Sequence, residues 1–216
     1  VLSKEIELDL KHKLLLVGKI SLIAIPLFLI LNTWAKTMDS TAGGHGHSEV
    51  NESIISEENI VHSAKVANDE EFISQMIPHH QEAIETSNII INKSTNANIK
   101  RFAKGVVAIQ VTEVNQMKDW YFSWFGKEYT PHSNYMPMMG KLTQITGDEL
   151  EKRYITGMIT HHKGAIDMAK QILPITQRPE IKKMADNIIS VQTEEVNTLQ
   201  NMLEAYDHKE SEHTGS

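Results

Sequence analysis

The sequence predicts an all-α fold, a four-helix bundle built from two similar helical hairpins. Three observations indicate this fold. Apolar residues recur at intervals of three and four, the period-two alternation of strands is scarce, and one motif occurs twice. The motif MIPHHQEAI at residues 76–84 returns as MITHHKGAI at residues 158–166. Two duplicated helix pairs with matching apolar faces imply a four-helix bundle with an approximate twofold axis.

The duplication extends beyond this motif. Residues 72–84 and 154–166 agree at seven of thirteen positions when they are aligned 82 residues apart. The same offset pairs Gln110 with Gln192 and Glu113 with Glu195, so a second segment of each unit is repeated as well. A repeating unit of this length corresponds to two helices.

Each predicted helix has a recognisable start. The first begins after Asn68 or Asp69, side chains that cap helix N-termini, and Pro78 inside it is expected to bend it beside the histidines. The second spans residues 96–125, and the third spans residues 148–173 after a Thr-Gly turn. The fourth runs from Pro179 to about residue 206, because proline in a first turn removes no needed hydrogen bond.

The bundle is assigned to residues 68–207, and other segments flank it. A basic flank at residues 1–13 precedes the mostly apolar residues 14–34, which we interpret as a transmembrane anchor or a signal segment. Residues 35–67, rich in small and polar side chains, are predicted to be a flexible linker, and residues 208–216 a disordered tail. Because the positive charge lies before the apolar segment, we expect the bundle outside the cytoplasm, in the periplasm or at the cell surface. It would be membrane-anchored, or secreted after cleavage of the segment.

Composition excludes several kinds of site. The chain has no cysteine, which excludes disulfides, thiolate metal sites, iron–sulfur clusters and cysteine nucleophiles. A net charge of -7 speaks against nucleic-acid binding, and no serine nucleophile-elbow motif is present. With 10 methionines and 11 histidines, any soft-metal chemistry would use these two residue types.

The histidine pairs are the main candidate ligands. Adjacent helical residues point about 100° apart, so one histidine of each pair should face inward and the other should lie at a seam with another helix. Thioether sulfur combined with imidazole nitrogen favours copper(I), with silver and other transition metals left open, over calcium or magnesium. The alternative is a packing role, which duplication would copy equally. The candidates are a methionine one turn before each pair, and the pair itself: Met76, His79, His80, Met158, His161 and His162.

Two further groups of residues are candidates. Glu113 and Glu195 hold equivalent positions on the second helix of each unit, and each could orient a histidine through a hydrogen bond or bind the metal directly. The connection between the units contains the sequence YMPMMG, in which Met136, Met138 and Met139 are candidate ligands in a loop.

These motifs closely resemble the domain-of-unknown-function family 305. The resemblance is carried by FISQMIPHHQEAIE, YITGMITHHKGAIDMA, AIQVTEVNQM, SVQTEEVNTL and MPMMG, and covers residues 69–206. It implies a ferritin-like four-helix fold. Some exported members of the family are associated with copper binding and resistance through methionine and histidine, so the resemblance also implies a copper-handling role for the motif residues.

The expected function is sequestration or transfer of copper or silver by a membrane-tethered, extracytoplasmic protein, without catalysis. One alternative is a di-iron-type oxidoreductase, although the Glu-x-x-His motif of such centres is missing after Glu113 and Glu195. Another is a surface interaction module whose histidines sense pH near their usual pKa of about 6.5. The expected partners are a metal ion and a membrane, not nucleic acid, with a second copy of the chain or a metal-exchange protein left open.

Overall fold

The computed structural model describes residues 65–131 and 135–214, and for residues 207 and 209–214 it describes the backbone alone. In this part of the chain there are four helices and no strand: α1 (Asp69–Lys93), α2 (Ala97–Phe125), α3 (Gly147–Ile172) and α4 (Pro179–Thr214). The first helix packs on α2, α3 packs on α4, and the two hairpins meet through α1 and α3. The prediction of an all-helical, four-helix fold is confirmed.

Capping residues determine where the first two helices begin. The side chain of Asn68 accepts a hydrogen bond from the backbone N–H of Glu71 at 2.9 Å, and the Glu71 carboxylate accepts one from the N–H of Ala67 at 2.9 Å. Of the two predicted caps, Asn68 is therefore the one used. Asn96 caps α2 through its side chain, and Gly126, the residue after the end of that helix, has the left-handed conformation, φ 67°, which glycine adopts without strain.

The fourth helix is longer than the sequence pattern predicted. It continues to Thr214, so the predicted end near residue 206 is wrong, and the helix enters the stretch predicted as a disordered tail at residues 208–216. Residues 180–214 contain neither glycine nor proline, the two residue types that most disfavour helix. The apolar period stops near residue 206, but this period reports which face is buried and not where the backbone stops being helical.

Apolar side chains form two clusters along the bundle, on either side of the histidines. The first cluster contains Phe72 and Met76 from α1, and the second contains their repeat equivalents Tyr154 and Met158 from α3. All four are fully buried, and burial of each large apolar side chain contributes about 1.5–3 kcal/mol. The approximate twofold axis therefore exchanges the two clusters and passes through the layer that contains the histidines.

Among residues 65–131 and 135–214, none of the helices combines the length and the apolar composition needed to cross a membrane. The basic flank at residues 1–13, the anchor or signal segment at residues 14–34 and nearly all of the linker at residues 35–67 lie outside the described residues. These assignments stay predictions.

Candidate metal centre

A layer of four histidines crosses the bundle between the two apolar clusters. His79 and His80 on α1, and His161 and His162 on α3, are each at most 3% exposed. The rings of His79 and His161 face each other, with centroids 3.7 Å apart and planes inclined by 36°. The two duplicated pairs therefore meet at one place, where α1 contacts α3. We call His79 and His161 the inner histidines, and the other two the outer histidines.

The outer histidines lie against glutamates of the neighbouring helices. Nε2 of His80 is 2.8 Å from Oε2 of Glu113, and it donates a hydrogen bond there when it carries the ring proton. Nε2 of His162 is 2.9 Å from Oε2 of Glu195, an ion-pair distance at an angle that does not meet hydrogen-bond geometry. The structure thus places each glutamate beside the histidine that the duplication paired with it, where it can orient the ring.

A buried carboxylate on α1 holds the loop that contains the methionines. Glu82 accepts hydrogen bonds from the backbone N–H groups of Met138 and Met139 at 3.0 and 2.8 Å, and the Tyr135 hydroxyl donates to it as well. Oε2 of Glu82 lies 3.5 Å from Nε2 of His161. Burial raises the pKa of this carboxyl group, but the nearby His161 ring and hydrogen bonds from Tyr135 and the loop N–H groups outweigh burial and lower the pKa to about 2. Glu82 is therefore an anion that joins the loop to the histidine layer.

The loop methionines differ in position relative to the histidines. Met136 is 82% exposed, Met138 is half-buried, and Met139 is buried. A methyl group placed on Gly164 would lie 3.3 Å from Nε2 of His79 and 3.6 Å from Sδ of Met138. An imidazole nitrogen and a thioether sulfur therefore converge against this glycine. The sulfur of Met138 therefore lies near the ring of His79.

The two methionines that precede the histidine pairs lie in the apolar core. Met76 belongs to the first cluster and Met158 to the second, and both are fully buried. Packing accounts for their burial, since methionine fills irregular gaps between helices. Their role as ligands stays a prediction.

Most ring nitrogens of the histidine layer have no hydrogen-bond partner. Seven of the eight are buried and have no hydrogen bond, the exception being Nε2 of His80. Burial, and then repulsion from His161, lowers the pKa of His79 well below its ordinary value. Burial also lowers the pKa of His161 to about 4, although Glu82 opposes this change. Both inner rings are therefore neutral at pH 7, which is the form that binds metals.

The available donors favour one class of metal. In the described part of the chain, no three histidine, aspartate or glutamate side chains are arranged to hold a metal ion together. The inner histidines and Met138 instead offer two imidazoles and a thioether. Few, soft donors suit copper(I) and silver(I), whereas structural zinc takes four ligands and di-iron centres take several carboxylates. The residues present therefore fit a soft monovalent ion.

Sequence reasoning missed the role of three residues at this centre. Glu82, Tyr135 and Gly164 were not among the candidate site residues. One signal was available. Glu82 and Gly164 occupy equivalent positions of the repeat, each two residues after a histidine pair, and they differ in residue type. Which partner each of them contacts depends on the path of the loop, which the repeat does not contain.

The chain matches one protein family and one curated protein in sequence. Residues 69–203 match the family model described as domain of unknown function DUF305. An uncharacterised protein, L153, of Acanthamoeba polyphaga mimivirus is 43% identical over 54 residues, which cover 25% of this chain and 36% of that protein. The match therefore spans about a third of the length of this relative.

Several solved structures share the fold. CopM in the Cu(I)-bound form is 31% identical with a TM-score of 0.60, and the match covers 64% of this chain and 97% of that one. CopM in the Cu(II)-bound form is 29% identical with a TM-score of 0.59, and the match covers 66% of this chain and 99% of that one. A silver-bound form of CopM is 29% identical with a TM-score of 0.57, and the match covers 64% of this chain and 96% of that one. A DUF305 fragment from Deinococcus radiodurans, 23% identical with a TM-score of 0.56 over 63% of this chain and 95% of that one, shares the fold alone.

Proposed function

The chain belongs to the DUF305 family, and we propose that it binds copper(I), or silver(I), in order to sequester the ion or pass it on. One observation carries this proposal. Nε2 of His79, buried and without a partner, converges with Sδ of Met138 beside the facing ring of His161. The structures of CopM with bound copper and silver support the same class of ion for this chain.

We propose His79, His161 and Met138 as the primary ligands. Both rings are neutral, so they can bind a cation without first losing a proton, and neither ring nitrogen of His79 has a hydrogen bond that would be broken. A modest rotation of the facing rings would direct one nitrogen of each toward an ion held beneath the sulfur. Glu82 is proposed to keep Met138 in position, because its carboxylate binds both the loop and His161.

The remaining candidates receive supporting roles in this proposal. Met136 is exposed two residues before Met138, so it can take an ion from solvent or from a donor protein and transfer it inward along the loop. Glu113 and Glu195 hold the outer histidines beside the inner pair. A protein with these properties needs no catalytic step.

The location outside the cytoplasm is a separate proposal that rests on sequence. Residues 14–34, mostly apolar after a basic flank, support a membrane tether or an export signal. Fractionation of cells that produce the full chain, followed by protease treatment of intact cells or spheroplasts, tests this proposal. Protection of the bundle from external protease in spheroplasts would contradict it.

Competitive titration tests the copper proposal. The full chain and the variant His79→Ala/His161→Ala would be titrated with copper(I), silver(I) and zinc against a chelator of known affinity. We expect the variant to bind copper(I) roughly 100-fold more weakly, since it loses both nitrogen ligands. The matched control is His208→Ala, which changes an exposed histidine of α4. Equal copper(I) affinity in the double variant and the parent would contradict the proposed site.

A further inference from the structure

A small cavity lies between α2 and α4. Its volume is about 10 Å³, which is roughly the space that one water molecule or one small ion needs. The helices α2 and α4 pack mainly on α1 and α3 and approach each other less closely, and the cavity is in this gap. Its walls are four side chains of α2 and the four equivalent side chains of α4, so it lies on the approximate twofold axis.

Two buried amide groups in the wall of this cavity lack partners. Gln110 and Gln192 are 2% and 3% exposed, and Oε1 of each has no hydrogen bond. Buried carbonyl oxygens without partners are rare, because removing them from water is unfavourable. Their occurrence at equivalent positions of the repeat, in the wall of one cavity, makes this cavity a candidate binding site.

Two carboxylates complete the polar lining. Glu113 and Glu195 line the same cavity, and each approaches an outer histidine through Oε2. The other lining residues are aliphatic, so the polar part of the lining consists of two glutamine amides and two glutamate carboxylates. Two carboxylates that line one small cavity attract positive charge.

We propose that this cavity binds one small hard divalent cation, of the class of Mn²⁺, Mg²⁺ and Ca²⁺, through Gln110, Gln192, Glu113 and Glu195. Hard cations prefer oxygen ligands, and the lining has neither the sulfur nor a free nitrogen that would select copper(I). The two amide oxygens and one oxygen of each carboxylate supply four oxygen ligands, while Oε2 of each carboxylate stays beside its outer histidine. Two carboxylates also balance a divalent charge.

The cation has a structural consequence for the bundle. It joins α2 to α4, the helices with little direct packing on each other, and it fixes the two glutamates that contact the outer histidines. Its ligands are distinct from the inner histidines and Met138, so loss of the cation site leaves the copper ligands in place.

Mn²⁺ is the probe for the test, which uses the full chain. We expect Mn²⁺, at about a hundred times its Kd, to raise the Tm by roughly 5–10 °C. In the variant Gln110→Leu/Gln192→Leu, which removes both amide oxygens at similar volume, we expect affinity for Mn²⁺, measured by its EPR signal, to fall roughly tenfold or more. The matched control is Gln200→Leu, an exposed glutamine of α4, which should leave Mn²⁺ affinity unchanged.

Two results would overturn the proposal. One is the absence of Mn²⁺, Mg²⁺ and Ca²⁺ binding by the parent, or equal binding by the double variant and the parent. The other is a crystal structure of the parent grown with Mn²⁺ in which anomalous scattering at the cavity is absent and only a water bridges the two glutamines. The crystal result does not depend on the folding of any variant. Copper(I) titration of the same proteins, expected to be unaffected by Gln→Leu, separates this site from the proposed copper site.

Discussion

The two duplicated units present the same histidines but differ at three positions of the motif, and one of these differences lies where the connecting loop meets the histidines. Two residues after His80 the first unit has Glu82, whereas two residues after His162 the second unit has Gly164. Glu82 binds the connecting loop through the N–H groups of Met138 and Met139. At the equivalent position in α3 the glycine leaves space, because a methyl group there would lie within 3.6 Å of the nitrogen and sulfur atoms that converge.

This difference shows how two similar units form an asymmetric arrangement around the inner histidines. The outer histidines keep the symmetry, with matching contacts to Glu113 and Glu195 at 2.8 and 2.9 Å. At the inner histidines the loop reaches one side only, where a carboxylate anchors it and a glycine admits its sulfur. The carboxylate of one unit and the glycine of the other thus leave the sulfur of Met138 near the ring of His79.

Removal of the Glu82 carboxylate, which holds the loop, should have the largest effect on stability and copper(I) affinity. Glu82→Ala leaves two loop N–H groups and the Tyr135 hydroxyl without their acceptor in a partly buried place, so we expect unfolding to become easier by about 3 kcal/mol. Copper(I) affinity should fall as well, because Met138 is no longer held. Urea unfolding of the metal-free variant, with metal titration below its transition, measures both effects. Unchanged stability and affinity would show that the loop does not depend on this carboxylate.

Acid should destabilise the metal-free protein through the inner histidines. The pKa of His161 is about 4 in the fold and about 6.5 when unfolded, so the unfolded state binds more protons between these values. Stability is therefore complete above about pH 6.5 and falls as the pH falls toward 4, by on the order of 3 kcal/mol from this residue. His79 acts in the same direction.

The groups that face the inner histidines allow this pH effect to be isolated. Glu82, with a pKa near 2 against 4.5 ordinarily, contributes stability that is lost only below about pH 4.5. The outer histidines also face the inner pair. Unfolding midpoints of the parent and of His79→Gln/His161→Gln, measured from about pH 7 to 5, should show a weaker pH dependence in the variant. Equal slopes would mean that other groups carry the effect.

Substitutions of two loop methionines should separate binding from uptake. Met138→Leu removes the sulfur beside His79, and we expect copper(I) affinity to fall by roughly 10- to 100-fold. Met136→Leu changes an exposed side chain, so equilibrium affinity should stay within about twofold of the parent while uptake slows. Chelator competition and stopped-flow transfer from a copper(I) donor measure the two quantities. Equal affinities for both variants would remove Met138 from the ligand set.

Filling the space beside Gly164 should have the smallest effect on copper(I) affinity. Gly164→Ala places a methyl group 3.3 Å from Nε2 of His79 and 3.4 Å from Cε of Met138, so we expect about a tenfold loss of copper(I) affinity. Gly105→Ala is the matched control, because nothing lies within 4 Å of its new methyl group. That control should stabilise α2 by about 0.5–1 kcal/mol without changing affinity. Titration and thermal unfolding of both variants test this pair, and unchanged affinity in Gly164→Ala would contradict the convergence at this glycine.

The sequence by itself determined the helices and the candidate residues. The apolar period, the cap at Asn68 or Asp69 and the repeat predicted four helices in two hairpins, because these signals act between residues close in the chain. The extension of α4 to Thr214 escaped prediction because burial ends before the helix does. The duplication also predicted that Glu113 and Glu195 lie near the histidines, since both members of each pair are repeated with one offset.

Only the tertiary structure decided how these residues combine. It brought the two histidine pairs to one contact between α1 and α3, and it placed Met138 beside that contact while Met76 and Met158 packed in the core. It also joined Glu82 to loop N–H groups 56 and 57 residues away. Contacts of this length depend on how the connecting loop crosses the assembled helices. The local sequence pattern does not predict the path of this loop, because the loop lies outside the repeat and has no apolar period of its own.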